Sequence, residues 1–146
     1  LLQGLETLPL RMRAHVANAQ ACAEFLAAHP AVSQVTHAGL PGHPDYALAQ
    51  RLMPRGAGAV FSFELQGGRA AGRKFIEALQ LFSHLANVGD AKSLVIHPAS
   101  TTHARLDAAA LQRAGIAEGL VRLSIGLEDG PDLIDDLSRA LSASQK

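Results

Sequence analysis

Two stretches hold the side chains best suited to chemistry: SLVIHPASTTHARL, residues 93–106, and GLVRLSIGL, residues 119–127. His97 and His103 lie six positions apart with Pro98 between them, so they cannot share a helix face as metal ligands four apart do. His37 and His84 are remote, and no acidic residue falls at a complementary spacing. The histidines are therefore expected as polar loop residues or partners of backbone carbonyls, and no metal site is expected. Ser93, Ser100 and Ser124 occupy no G-x-S-x-G elbow, although a serine–histidine pair formed in space stays open. The glycines of GAGAV and QGGRAAGRK lack the Gly-Lys-Ser/Thr ending of a phosphate loop and read as turns and helix starts.

Arg122 is a different case. It interrupts an apolar strand, and alternation points it with Leu120 and Ser124, away from Val121, Leu123 and Ile125. A guanidinium keeps its proton, so an inward head would need an anion, and a carboxylate suits its two-pronged donor face. The competing reading is an arginine on the solvent face of an edge strand. Pattern alone leaves both open.

The elements that must position these residues alternate. Leu5, Leu8, Met12, Val16, Ala19, Cys22 and Leu26 form one helical stripe, with Thr7 as a cap, Pro9 in the first turn and an end near His29-Pro30. Cys22 lies on that stripe and reads as core packing. Val32 to Thr36 reads as a short strand, and Asp45 starts a helix through Leu48 and Leu52. In GAVFSFEL, Phe61, Phe63 and Leu65 alternate with Val60, Ser62 and Glu64 as in a half-buried strand. GRAAGRKFIEALQLF is predicted to be a helix burying Phe75, Ile76, Leu79 and Phe82. SLVIH is a strand, Asp107 caps a short helix stopped by Gly115, and GLVRLSIGL is the last strand. A final helix has Pro131 in its first turn, and the Ser-rich tail after Leu141 is expected to fray. Four short strands among helices fit either a parallel α/β sheet or an antiparallel α+β sandwich.

Composition narrows the partners. With 146 residues and 48% hydrophobic content, the chain can bury one domain-sized core. Thirteen basic residues balance thirteen acidic ones without long runs of like charge, which argues against nucleic-acid or membrane-surface binding. A single cysteine excludes an internal disulfide and fits a reducing, cytoplasmic setting. The chain opens Leu-Leu without an initiator methionine, so an upstream segment is expected.

SLVIHPASTTHARL together with AGIAEGLVRLSIGLEDGPDLIDDLSRAL closely resembles the C-terminal domain of the Cys/Met-metabolism family of pyridoxal-phosphate enzymes. The family includes cystathionine synthases and lyases, methionine γ-lyase and O-acetylhomoserine sulfhydrylase. GLETLPLRMRAHVANAQACAEFL and HPAVSQVTHAGLPGHPDYALAQRLMPRGAGAVFSFEL extend the likeness over essentially the whole chain. LFSHLANVGDAKSLVIHPASTTH looks most like the sulfhydrylase branch; many relatives have serine where Asn87 stands and methionine where Thr101 stands.

The resemblance implies an α+β fold for residues 1–146: the small C-terminal domain of a fold-type-I enzyme, an antiparallel sheet of about four strands covered by helices. It implies that Arg122 pairs with the α-carboxylate of an amino-acid substrate, that Asn87 helps orient that substrate, and that Thr102 lies in a loop near the catalytic centre. The cofactor it implies is pyridoxal phosphate, held through a lysine on a large N-terminal domain absent here; Lys74, Lys92 and Lys146 do not match that motif. Catalytic residues are accordingly expected outside this chain, which alone should be inactive. The implied whole is a homotetramer, and loss of the large domain should bare an apolar patch on the first helix. Two alternatives stand beside the sulfhydrylase: the same domain of a cystathionine γ-synthase or methionine γ-lyase, and a freestanding α+β binding or oligomerisation module. The coding sequence upstream of Leu1 separates the last from the others.

Overall fold

The computed structural model describes residues 1–145. A long helix α2 (Leu8–Ala27) follows a short α1 (Leu2–Glu6), and β1 (Val32–Thr36) leads through α3 (Tyr46–Leu52) to β2 (Val60–Leu65). Next come α4 (Gly68–Ala78), β3 (Ser83–His84), β4 (Leu94–Ile96), a single 3-10 turn at Pro98–Ser100, α5 (Ala108–Arg113), β5 (Leu120–Ser124) and α6 (Gly130–Ser144). The sheet order is β1-β2-β5-β4-β3. Every pairing is antiparallel except β3 with β4, which is parallel. The fold is thus the expected α+β type, with five strands where the sequence pattern suggests four. The extra strand is two residues long, held where the Ser83 N–H donates to the Ser93 carbonyl at 2.9 Å. Such a pair has no period to read.

One face of the sheet carries the core. Phe61, Phe63, Leu65, Val95, Val121 and Leu123 point to it, and α2, α4 and α6 cover it with Cys22, Leu26, Phe75, Leu133 and Leu137. Phe63 and Phe75 meet edge to face at 5.4 Å. Each of these large side chains contributes roughly 1.5–3 kcal/mol by leaving water. Cys22 is the core residue its place on the stripe indicates; burial first, and then the Glu128 charge, push its thiol up to about 12. It is inert packing.

Three local expectations are corrected. The Thr7 side chain caps nothing; its backbone carbonyl accepts from the Leu10 and Arg11 amides and its hydroxyl accepts from Arg11 Nε. Helix α4 ends at Ala78, because the Asp136 carboxylate of α6 draws the next backbone amides, of Gln80, Leu81 and Phe82, out of the helical path. The C-terminal tail does not fray at Leu141: α6 runs to Ser144, which is buried and whose hydroxyl donates to the Leu141 carbonyl at 2.7 Å.

The apolar stripe of the first helices is buried over only half its length. Ala19, Cys22 and Leu26 are fully enclosed, whereas Leu2 is 79% and Leu5 59% exposed, and Leu8, Leu10 and Met12 are open as well. No helix among the described residues is long and apolar enough to cross a membrane.

Candidate functional site

Strand β5 is the middle strand of five, so Arg122 is not on a sheet edge. Arg122 stands opposite Ser62 on β2 and Ile96 on β4, on the sheet face turned away from α2, α4 and α6. There it borders a cleft of about 400 Å³ whose walls include Thr36, Ser62, Pro98, His103 and Leu120. Among the described residues no carboxylate lies within ion-pair reach of its guanidinium. Among the described residues its one hydrogen-bond partner is the Asn87 carbonyl, to which Nη2 donates at 3.4 Å. The structure therefore brings Arg122 and Asn87 together through the backbone of Asn87. The Asn87 side chain is turned inward on its own loop, its Oδ1 accepting from the Val88 N–H at 2.8 Å.

Thr102 is exposed and its hydroxyl lies 2.9 Å from His103 Nδ1. His103 lines the Arg122 cleft, so Thr102 is joined to that cleft through its neighbour.

The other histidine of the opening motif is structural. His97 is wholly buried. Its Nε2 lies 2.7 Å from the Glu118 carbonyl, which can only accept, so Nε2 carries the proton and Nδ1 accepts from the Ser100 hydroxyl at 2.8 Å. A serine–histidine pair does form in space, but it closes the turn that follows β4. Gly72, inside α4, gives the imidazole its room: a methyl there would collide with the ring. Only the packing of α4 on this turn demands that glycine, so its place in a glycine-rich stretch reveals nothing.

Burial holds the His97 pKa below its ordinary 6.5; the charges of Arg69, His84 and Arg73 push the same way and the bond to the Glu118 carbonyl opposes. His37 is lowered too, again mainly by burial. The unfolded chain takes up protons that these folded imidazoles refuse. Their stabilisation is complete above about pH 6.5 and is lost as pH falls through the depressed folded values. Urea midpoints are expected to decline from about pH 7.5 to about pH 5.5, with a shallower decline in His97→Gln. An unchanged slope in that variant would remove His97 from the account.

The three serines weighed as nucleophiles are all engaged. The Ser124 hydroxyl accepts from the Gly89 N–H at 3.1 Å, and Ser93 is fully buried between Glu128 and Gly126. No group of three His, Cys, Asp or Glu side chains among the described residues is placed to hold a metal.

Residues 1–142 match the family of Cys/Met metabolism PLP-dependent enzymes. The chain belongs to that family. It is 51% identical over 142 residues to an O-acetyl-L-homoserine sulfhydrylase of Leptospira meyeri, covering 97% of this chain and 32% of that protein. It is 51% identical over 144 residues to an L-methionine gamma-lyase of Pseudomonas putida, covering 99% of this chain and 36% of that one. The crystal structure of a cystathionine gamma synthase from Xanthomonas oryzae in complex with cystathionine superposes with a TM-score of 0.89 at 49% identity, over 99% of this chain and 37% of that one. A Campylobacter jejuni protein described as an O-acetylhomoserine (thiol)-lyase, solved with a pyridoxyl-lysine phosphate, gives a TM-score of 0.88 at 43% identity, over 97% of this chain and 34% of that one. The chain thus spans about a third of the length of the relatives it matches.

The family cofactor is pyridoxal phosphate. Among the described residues no lysine borders the Arg122 cleft: Lys74 and Lys92 are exposed, on α4 and in the loop before β4, and Lys146 lies outside the described residues.

Proposed function

We propose that the chain is the C-terminal, substrate-holding domain of a pyridoxal-phosphate-dependent O-acetylhomoserine sulfhydrylase, with Arg122 binding the substrate's α-carboxylate. The observation that carries this is the Arg122 guanidinium, central in the sheet, facing an open cleft and lacking any carboxylate partner of its own among the described residues. A planar fork of N–H donors beside an apolar wall suits a bidentate carboxylate. Asn87 sets the guanidinium through its carbonyl, and His103, beside which the Thr102 hydroxyl lies, is one of the cleft's walls. In the overall reaction sulfide replaces acetate at the substrate's γ-carbon, giving homocysteine and acetic acid; methanethiol in place of sulfide gives methionine.

The same proposal places the cofactor lysine on a preceding large domain, in a cytoplasmic homotetramer, and makes the isolated chain inactive. The exposed leucines of α1 and the start of α2 support it, since a surface of that kind asks for a covering partner. A second reading, cystathionine γ-synthase or methionine γ-lyase, is favoured by equally similar relatives; Asn87 inclines the choice to the sulfhydrylase.

Parallel assays of the full-length enzyme decide. O-acetylhomoserine with sulfide is expected to turn over fastest, ahead of O-acetylhomoserine with cysteine and of methionine alone. Faster elimination from methionine would transfer the assignment to the lyase.

A further inference from the structure

The loop that carries Asn87 runs from Leu85 to Lys92 and is exposed over nearly all of its length. Gly89 in its middle has φ +77°, and its N–H donates to the Ser124 hydroxyl of β5 at 3.1 Å. Its far end is fastened by a compact polar cluster. The Ser93 N–H donates to Glu128 Oε1 at 2.6 Å, and the Ser93 hydroxyl donates to Oε2 at 2.8 Å. That hydroxyl also accepts from the Gly126 N–H at 2.8 Å, while the Leu127 N–H donates to the Ala91 carbonyl, again at 2.8 Å. Gly126 has to be glycine, since a Cβ there would stand 2.5 Å from both the Ala91 oxygen and the Ser93 nitrogen.

The other side of the cluster is equally firm. Asn18 of α2 donates to the Gly126 and Glu128 carbonyls at 3.2 and 2.8 Å, and His15 Nδ1 donates to the Ile125 carbonyl at 2.7 Å. The turn after β5 is therefore part of the rigid body, and Glu128 reaches from it to hold the loop.

We propose that Glu128, acting through Ser93, is a positioning residue for substrate: it latches the 85–92 loop so that the Asn87 carbonyl stands where it orients the Arg122 guanidinium. This rests on the reading of Arg122 as the carboxylate-binding group. Both ends of the connection lie on one strand and the turn that leaves it, so the loop closes a short circuit, Arg122 to Asn87, along the loop to Ser93, and through Glu128 back to β5. Without the carboxylate, the Ser93 amide loses its acceptor, the loop end loosens, and the Asn87 carbonyl is held less firmly against the guanidinium.

Two measurements on the full-length holoenzyme test this. Limited trypsin digestion with mass spectrometry reads the latch directly, because Lys92 is an exposed cleavage residue whose scissile amide is the N–H bound by Glu128. Cleavage after Lys92 is expected to quicken about tenfold in Glu128→Ala, the effect of losing charge-assisted, partly buried hydrogen bonds, and to stay slow in Glu128→Gln, which keeps an oxygen for the Ser93 amide. Steady-state kinetics read the consequence. KM for the amino-acid substrate is expected to rise about tenfold in Glu128→Ala with kcat within about twofold, and Glu128→Ala should add nothing in an Arg122→Ala background. Unchanged cleavage at Lys92 overturns the latch. Faster cleavage with unchanged KM in Glu128→Ala, alongside a raised KM in Arg122→Ala, overturns the positioning role. If KM is also unchanged in Arg122→Ala, the carboxylate reading fails while the digestion still reports on the latch.

Discussion

Arg122→Ala in the full-length enzyme is expected to lower kcat/KM for the amino-acid substrate roughly a hundredfold, about 2.7 kcal/mol, through a raised KM. The size follows from what is lost. A bidentate guanidinium–carboxylate contact is worth more than a neutral hydrogen bond, and the cleft beside Arg122 has no second arginine and no lysine among its walls to take over. Arg122→Lys keeps the charge but replaces the fork by a point donor, and should fall between wild type and alanine. Comparing an amino acid with its methyl ester makes the assignment specific: wild type should prefer the free acid strongly, and the preference should collapse in both variants. Equal kcat/KM for wild type and Arg122→Ala would leave the outer sheet face without a role in binding.

Arg122 shows where sequence reading stops. Its oddity is legible, because a charge between Val121 and Leu123 breaks an apolar run. Its place at the centre of the sheet is not, because strand order depends on pairings between residues about sixty positions apart, such as Ser62 with Arg122. Local periods succeed where one element decides its own face: the alternation of Phe61, Phe63 and Leu65, the Asp107 cap whose carboxylate accepts from the Ala110 N–H, and the Gly115 stop at φ +71°. They fail where a distant group overrides them. The stripe through Leu5, Leu8 and Met12 is real, yet periodicity does not say which half is covered. Ser93 and Glu128 are thirty-five positions apart and carry no shared motif, so their contact exists only in the fold. The resemblance to the pyridoxal-phosphate family carried Arg122, Asn87 and Thr102 as a set; the structure supplies the bond between the first two and leaves Thr102 outside the cleft walls, beside His103.

The same kind of long-range override predicts the largest loss of stability, at Asp136. Its side chain is 2% exposed, and its carboxylate accepts from the backbone amides of Gln80 at 3.0 Å, Leu81 at 2.9 Å and Phe82 at 3.4 Å, with Arg139 alongside. Asp136→Ala removes the acceptor for three consecutive N–H groups that lie beyond the end of α4 and have no helical carbonyl to return to. The expected cost is about 3–5 kcal/mol, the penalty for stranding several partly buried donors. For a domain of this size that corresponds to a fall in Tm of about 10–15 °C. Asp136→Asn retains one carbonyl oxygen and should lose less than half as much. Arg139→Ala should cost under about 1 kcal/mol, because that side chain is half in water and adds only screened charge. This order, alanine far below asparagine and Arg139→Ala near wild type, distinguishes amide capture from an ion-pair effect, which would bring Arg139→Ala and Asp136→Asn down together. The segment held by Asp136 leads directly into β3, whose pairing with β4 sets the start of the loop bearing Asn87. Asp136 should therefore matter to the Arg122 site only through folding: at temperatures where Asp136→Asn remains folded, its KM for the amino-acid substrate should equal that of wild type, whereas Glu128→Ala should shift KM at temperatures where it remains folded.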